Sequence, residues 1–487
     1  MRRFPQFVRR LRRQPVLETK SAKLLPIGWA LTLTLALAVT ATGLLLFGAL
    51  AWLGLPAATG KRPTVAEFLD TLKIVLAVIG GIGGVVALVV AYRKQRISEE
   101  ENHRARETAR REDVKLYVDR FDKASGKLGD ASAAVRLAAV HALASLADDW
   151  SGGRQMCIDV LCAYLRMPLE PDADQDPAGL ATWRAMREVR ATILRLIGAH
   201  LHRDAPISWA GADLDFTGVV FDQGADFKHA VFSGGQVSFA DAVFSGDTVW
   251  FTDAAFSGGQ VSFFGAKFSG EMIWFTGAEF SGGTVSFDDA EFSGRAISFG
   301  DAEFSGGEVS FTDAVFSSIG MVWFGRAKFA GGEVSFTNAA FSGGTVLFTD
   351  AAFSGGQVSF FGAKFSGGKA SFSGVEFSGG EVWFRHTEFS GGEVVFSDAG
   401  FSGGEVVFSD AGFSGGKVVF SDAKFAGGEV DLTAVADWSC PPIGLPDTAE
   451  GLRLPGQPTA QPTDEAGGQS ASGDLNRASG ANATGAV

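Results

Sequence analysis

The sequence predicts a mixed architecture: a two-helix transmembrane hairpin, a small all-α module, and a solenoid of short strands with about 24 residues per coil. Three observations carry this. Between about Ile207 and Leu432, phenylalanines recur at alternating gaps of seven and five, as at Phe232, Phe239, Phe244, Phe251, Phe256, Phe263 and Phe268, and the rhythm runs to Phe425. Self-similarity at a short fixed period marks a solenoid, in which each turn buries its apolar side only by stacking on its neighbours. Second, the residue between the apolar pair is Ser at 238, 262, 286, 310, 335 and 359, but Trp250, Trp274, Ser298, Trp323, Leu347 and Ser371 in the alternate units. Odd and even units differ, so two units make one circuit. Third, two long apolar runs lie upstream of the repeat.

Within a unit, alternation places Val237 and Phe239 on one side of a short strand and Ser238 on the other; Ala242 and Phe244 repeat the pattern. The expected core stack therefore includes Phe239, Phe244, Phe263, Phe268, Phe287, Phe292, Phe311 and Phe316. Each unit is two five-residue segments plus a two-residue insert, and one slip falls at Ser318-Ile319-Gly320. Strands stacked ~4.8 Å apart give roughly nine coils in a rod about 40 Å long. The first turn carries the string Ala212-Asp213-Leu214-Asp215-Phe216. This resembles the pentapeptide-repeat family, and the resemblance implies a right-handed, four-sided parallel β-helix.

Residues 1–23 are basic, with Arg2, Arg3, Arg9, Arg10, Arg12, Arg13, Lys20 and Lys23. The segment 24–92 reads as a transmembrane helical hairpin, with spans at about 27–53 and 70–92. The first run is too long for a signal-peptide core and no clear cleavage site follows it. Arg93, Lys94 and Arg96 follow the second span, whereas the loop holds only Lys61 and Arg62, so the positive-inside rule places both termini in the cytoplasm at an inner membrane. Gly80 and Gly84 form a ridge on which the helices could approach closely. Neither span holds an ionisable residue beyond Asp70 and Lys73, which speaks against a channel. Residues 93–120 read as a charged juxtamembrane helix, with a basic cluster that could touch anionic lipid.

Residues 121–206 read as an α-helical capping module. Asp130 is expected to cap a helix through Val135, Leu137, Val140, Leu143 and Leu146, with further helices at Ile158–Leu165 and Trp183–Ile197. The string from Val135 to Leu143 looks like part of a HEAT-type repeat. The stretch from Arg120 to Leu143 resembles the helical module that precedes the solenoid in membrane-anchored pentapeptide-repeat proteins of actinobacteria. A solenoid end exposes unpaired strand edges, and this module is placed to cover one. Residues 433–487 are rich in Pro, Gly, Ala, Ser and Thr, and predict a short cap near Val435–Trp438 followed by a disordered tail.

Chemistry is sparse. The histidines (His103, His141, His200, His202, His229, His386) are scattered, and no carboxylate or thiol pattern joins His200 and His202 into a metal site. Cys157 and Cys162 read as buried structural thiols, and three cysteines without metal spacing fit a reducing compartment. The Gly-Gly pairs lack a phosphate loop's Lys-Ser/Thr ending and recur in every unit, as corner residues do. A nucleophile is not repeated throughout a rod, so no enzyme activity and no cofactor is expected. The stretch 207–432 holds 28 acidic and 10 basic residues, which makes nucleic-acid binding by the rod unfavourable.

Two surface features remain. Asp241, Asp289 and Asp313 form one column, interrupted by Gly265, and Asp253, Asp301, Asp350, Asp398 and Asp422 form another. Turn chemistry explains such columns by default. The alternative is an acidic surface imitating DNA, which the resemblance permits because some pentapeptide-repeat proteins bind a type II topoisomerase, DNA gyrase, that way. Lys267, Arg326, Lys328 and Lys364 break that acidic field, and a membrane anchor argues against it. The second feature is apolar: Trp250, Met272, Trp274, Met321 and Trp323 should share one face, a surface for an unidentified protein partner or for self-association. Ser298 leaves a gap in that column. The expected function is a membrane-tethered scaffold presenting a rigid acidic rod.

Overall fold

The computed structural model describes residues 27–52, 64–168, 177–246, 248–317 and 320–456. The basic segment 1–23, the loop with Lys61 and Arg62, the inserted Ser318-Ile319 and the tail from 457 lie outside them. The chain divides into two compact units, Met1–Lys115 and Leu116–Val487.

The first unit holds α1 (Ile27–Trp52) and most of α2 (Val65–Lys127). Helix α1 has 26 residues and no ionisable side chain. Helix α2 contains a segment long and apolar enough to cross a membrane, and it is the one such candidate among the described residues. Its apolar side chains are uncovered, with Val85 64% and Leu88 72% exposed. A methyl group placed on Gly80 or Gly84 would meet nothing within 4 Å, so no described residue packs on the small-residue ridge. The charged segment expected as a separate helix over 93–120 is continuous with the apolar one, as a change from apolar to charged residues does not interrupt the backbone ladder.

The second unit begins with the end of α2 and continues through α3 (Ala133–Asp149), α4 (Arg154–Arg166) and α5 (Pro177–Leu201). Helix α3 starts after Ser132, which takes the cap position two residues beyond the expected Asp130; Asp130 instead accepts a hydrogen bond from the Ser132 N–H at 2.8 Å. Val140, Leu143, Leu146, Ile158, Leu161, Val189, Ile193 and Ile197 close the interior between these helices.

The solenoid follows. One circuit runs through a second face at Lys267–Phe268, a third at Met272–Trp274, a fourth at Glu279–Phe280 and a first at Thr284–Ser286. Every strand pairs in parallel with the strand one circuit away. Val285 lies beside Val309, 24 residues on, and the step is 25 where Ile297 meets Val322, which absorbs the extra residue. Phe239, Phe244, Phe263, Phe268, Phe287, Phe292, Phe311 and Phe316 are fully buried. They stack in ladders, as Phe263 on Phe287 at 4.7 Å with rings 3° apart, and meet adjacent ladders edge-on, as Phe275 and Phe287 at 5.6 Å and 86°. Both arrangements suit the ring quadrupole.

The first coil shows why a cap is needed. Val219 and Phe221 carbonyls accept bonds from the next coil, at Val243 and Gly246. Carbonyls of Val220 and Asp222 face the opposite way, where no coil exists. The module supplies donors: Arg190 to the Val220 carbonyl at 3.4 Å, Arg187 to that of Asp222 at 3.4 Å, Arg166 to that of Asp215 at 3.0 Å and Gln155 to that of Asp213 at 2.7 Å. Arg190 is buried, and desolvation lowers its pKa from the ordinary guanidinium value, opposed by Asp222. Burial raises the pKa of Asp215, yet bonds from Thr217 and the Arg166 charge outweigh this and hold it below the usual carboxylate range.

At the far end the structure departs from the sequence reading. Residues 433–456 form a further, irregular coil rather than a tail. Glu450–Arg453 pairs with the preceding circuit, Leu452 is buried, and Ile443 both donates to Val418 and accepts from Phe420. Trp438 meets Phe413 edge-on at 5.4 Å. Pro441, Pro442 and Pro446 are tolerated because a terminal coil needs fewer backbone donors, and missing donors blunt the open edge.

Candidate functional site

The aromatic column lies on the third face, in the register expected. Thr248, Met272, Ala296 and Met321 align, as do Trp250, Trp274, Ser298 and Trp323. Alternation turns Val249, Ile273 and Val322 inward and these outward. Met272 and Met321 are exposed, whereas the three tryptophans are half-buried. Trp250 and Trp274 stack at 5.9 Å with rings 12° apart. Trp323 lies over Gly300 and Gly325, where a methyl group would come within 2.8 Å and 1.9 Å of its ring atoms. Ser298 is buried beside it at 4% exposure. Ser298 thus separates the stacked pair Trp250 and Trp274 from Trp323, and its hydroxyl lies 2.9 Å from that of Thr276.

Two cations complete the column: Lys228, which sequence reasoning missed, and Arg326, which it placed only in the acidic field. Lys228 Nζ sits 4.0 Å from the Trp250 ring centroid and the Arg326 guanidinium 5.4 Å from that of Trp323. Their signal is positional: Lys228 and Arg326 lie close to a corner, within one circuit of the ring each covers. Beyond Trp323 the face changes character, because Glu393 bridges Lys369 at 3.3 Å and Lys417 at 3.0 Å. Those lysines hold the Glu393 carboxyl below its usual range. Toward the helical module, the patch opens into a cleft of about 670 Å³ lined in part by Arg195, His202, Lys228, His229 and Trp250. A fourth outward tryptophan, Trp383, stands on the first face with Arg385 4.7 Å from its ring.

The aspartate columns have a backbone explanation. Asp241, Asp253, Asp289, Asp301, Asp313, Asp350, Asp398 and Asp422 all have φ between +54° and +60°. Each sits third in a tight turn, as in the bond from the Ala242 N–H to the Phe239 carbonyl at 3.1 Å, a place that needs the left-handed conformation. Asp, Asn and Gly tolerate it, and Gly265, Asn338 and Gly362 occupy the same column. Arg326 takes this position too and pairs both guanidinium arms with Asp301 at 2.7 Å.

The other candidates separate. His200 stacks on Trp209 at 4.1 Å and contacts Asp148 at 3.1 Å, while His202 meets His229 edge-on at 5.4 Å. No group of three metal-ligating side chains occurs among the described residues. Burial pushes the Cys157 and Cys162 thiols up to about 11 and about 12, which suppresses the reactive thiolate.

No curated protein and no solved structure matches the chain. Residues 216–267 match the family model described as Pentapeptide repeats (9 copies), so the parallel β-solenoid of this chain is built, over that stretch, from pentapeptide repeats.

Proposed function

We propose that this protein is a non-enzymatic, membrane-tethered scaffold that presents its solenoid for protein contacts. The observation that carries the reading is the column of Trp250, Met272, Trp274, Met321 and Trp323, aromatic and Met side chains gathered on one face of an acidic rod. Aromatic and Met side chains rimmed by cations are the composition of contact centres. The tether is the hairpin of α1 and the apolar part of α2, both termini cytoplasmic. Support comes from the uncovered apolar side chains of α2 and the basic residues after its apolar part. The helical module, with the resemblance to HEAT-type repeats noted above, joins anchor to rod.

Changing Trp250, Trp274 and Trp323 together to Ser tests this. Cross-linking in intact membranes is expected to lose the adducts that the unaltered protein forms with other proteins, with the strand signature in circular dichroism of the purified variant retained. Unchanged adducts in the triple variant would remove the patch from the function.

A further inference from the structure

The second face displays one outward side chain per coil. In register these include Lys267, Glu291, Val315, Ala340, Lys364 and Glu388. Read in reverse, the column is its own complement: Lys267 falls opposite Glu388, Glu291 opposite Lys364, and Val315 opposite Ala340. We propose that this face docks on the same face of a second copy, with the two rods antiparallel and a two-fold axis level with the step between Val315 and Ala340. Such a contact is isologous and closes at two copies.

Two further observations support the assignment. Lys267 and Glu291 are direct strand neighbours, as are Lys364 and Glu388, yet no ion pair joins either couple among the described residues. On the third face the equivalent neighbours Lys369, Glu393 and Lys417 close their bridges at 3.3 Å and 3.0 Å. The second-face charges are thus available to a partner. Val315 at their centre is 37% exposed.

The remaining faces fit a second copy less well. The first carries Glu308, Glu333, Glu381, Glu405 and Glu429 in register with no cation before Arg453, and it would repel itself. The third holds the tryptophan patch and the closed ladder. The fourth offers Glu279, Glu303, Lys328 and Glu376 with Lys424, an acidic excess that leaves Glu303 opposite Gly400 in its best antiparallel register. Only the second balances two acids against two bases. The strip is one face wide, narrower than a standard interface, so the dimer is weak and concentration-dependent.

Charge exchange tests the register on the full chain in detergent, with the exposed Cys440 changed to Ser. Lys267→Glu places like charges at both ends of the contact and is expected to weaken self-association roughly tenfold in sedimentation velocity. Adding Glu388→Lys to the same chain restores it. Lys328→Glu, on the fourth face, leaves it unchanged. Copies carrying Lys267→Cys mixed with copies carrying Glu388→Cys form a disulfide dimer, and neither forms one alone. A protein that stays monomeric across the micromolar range, loss without rescue, equal weakening by Lys328→Glu, or self-cross-linking of Lys267→Cys would each overturn the proposal.

Discussion

Phe287→Ala is expected to destabilise the solenoid by roughly 3–5 kcal/mol, the range for deleting a fully buried aromatic ring. Phe287 is 0% exposed and is held on four sides. It stacks on Phe263 at 4.7 Å and Phe311 at 4.8 Å, and meets Phe275 and Phe299 edge-on at 5.6 Å and 5.8 Å. Coils contact only their neighbours, so the lost ring weakens two interfaces at once and divides the rod at its middle. Ser286, one residue earlier, points outward and accepts one bond, from the Asp288 N–H at 3.2 Å. Ser286→Ala should cost about 1 kcal/mol or less. Denaturant melts of the two variants, followed by strand circular dichroism, make the comparison. Equal midpoints would contradict the inward placement of the ring.

Gly283→Ala is expected to cost roughly 3 kcal/mol, far above a usual Gly-to-Ala change. Gly283 has φ +73°, and its added methyl would lie 2.4 Å from the Gly259 carbonyl oxygen in the coil below. That atom is backbone and cannot swing aside. Gly300→Ala is the contrast: the near atoms all belong to the Trp323 ring, the closest at 2.8 Å, and a side chain can rotate outward. Thermal melts should separate the two variants by several degrees, with Gly300→Ala close to the unaltered protein.

The repeat was legible because its signal is local and redundant. Phenylalanine at alternating gaps fixes which residues face inward, and the Ser/Trp alternation fixes the circuit, so the columns of Trp250 and Asp253 followed by counting alone. The role of the aspartates was legible only in part. Turn chemistry does account for them, but no backbone N–H donates to a corner aspartate side chain among the described residues; the left-handed φ selects them. That explains why Arg326, His229 and His386 share the phase, which a bonding rule would not. The last coil was not legible, because Leu432 ends the phenylalanine ladder just before it, Leu452 falls in register with Val430, and prolines resemble a linker. The arginine donors of the cap left no pattern either. Arg166, Arg187 and Arg190 meet carbonyls 30 to 49 residues away, and nothing in their own neighbourhood marks it.

The most direct measurement is a spin-label distance between Gln236→Cys and Glu405→Cys, both exposed on the first face and seven register steps apart. With Cys440 changed to Ser, a circuit of 24 residues sets the separation at ~34 Å, seven strand spacings. A circuit of half that length would place the labels ~67 Å apart, and a result near that value would contradict the four-faced coil on which the columns and both contact surfaces rest.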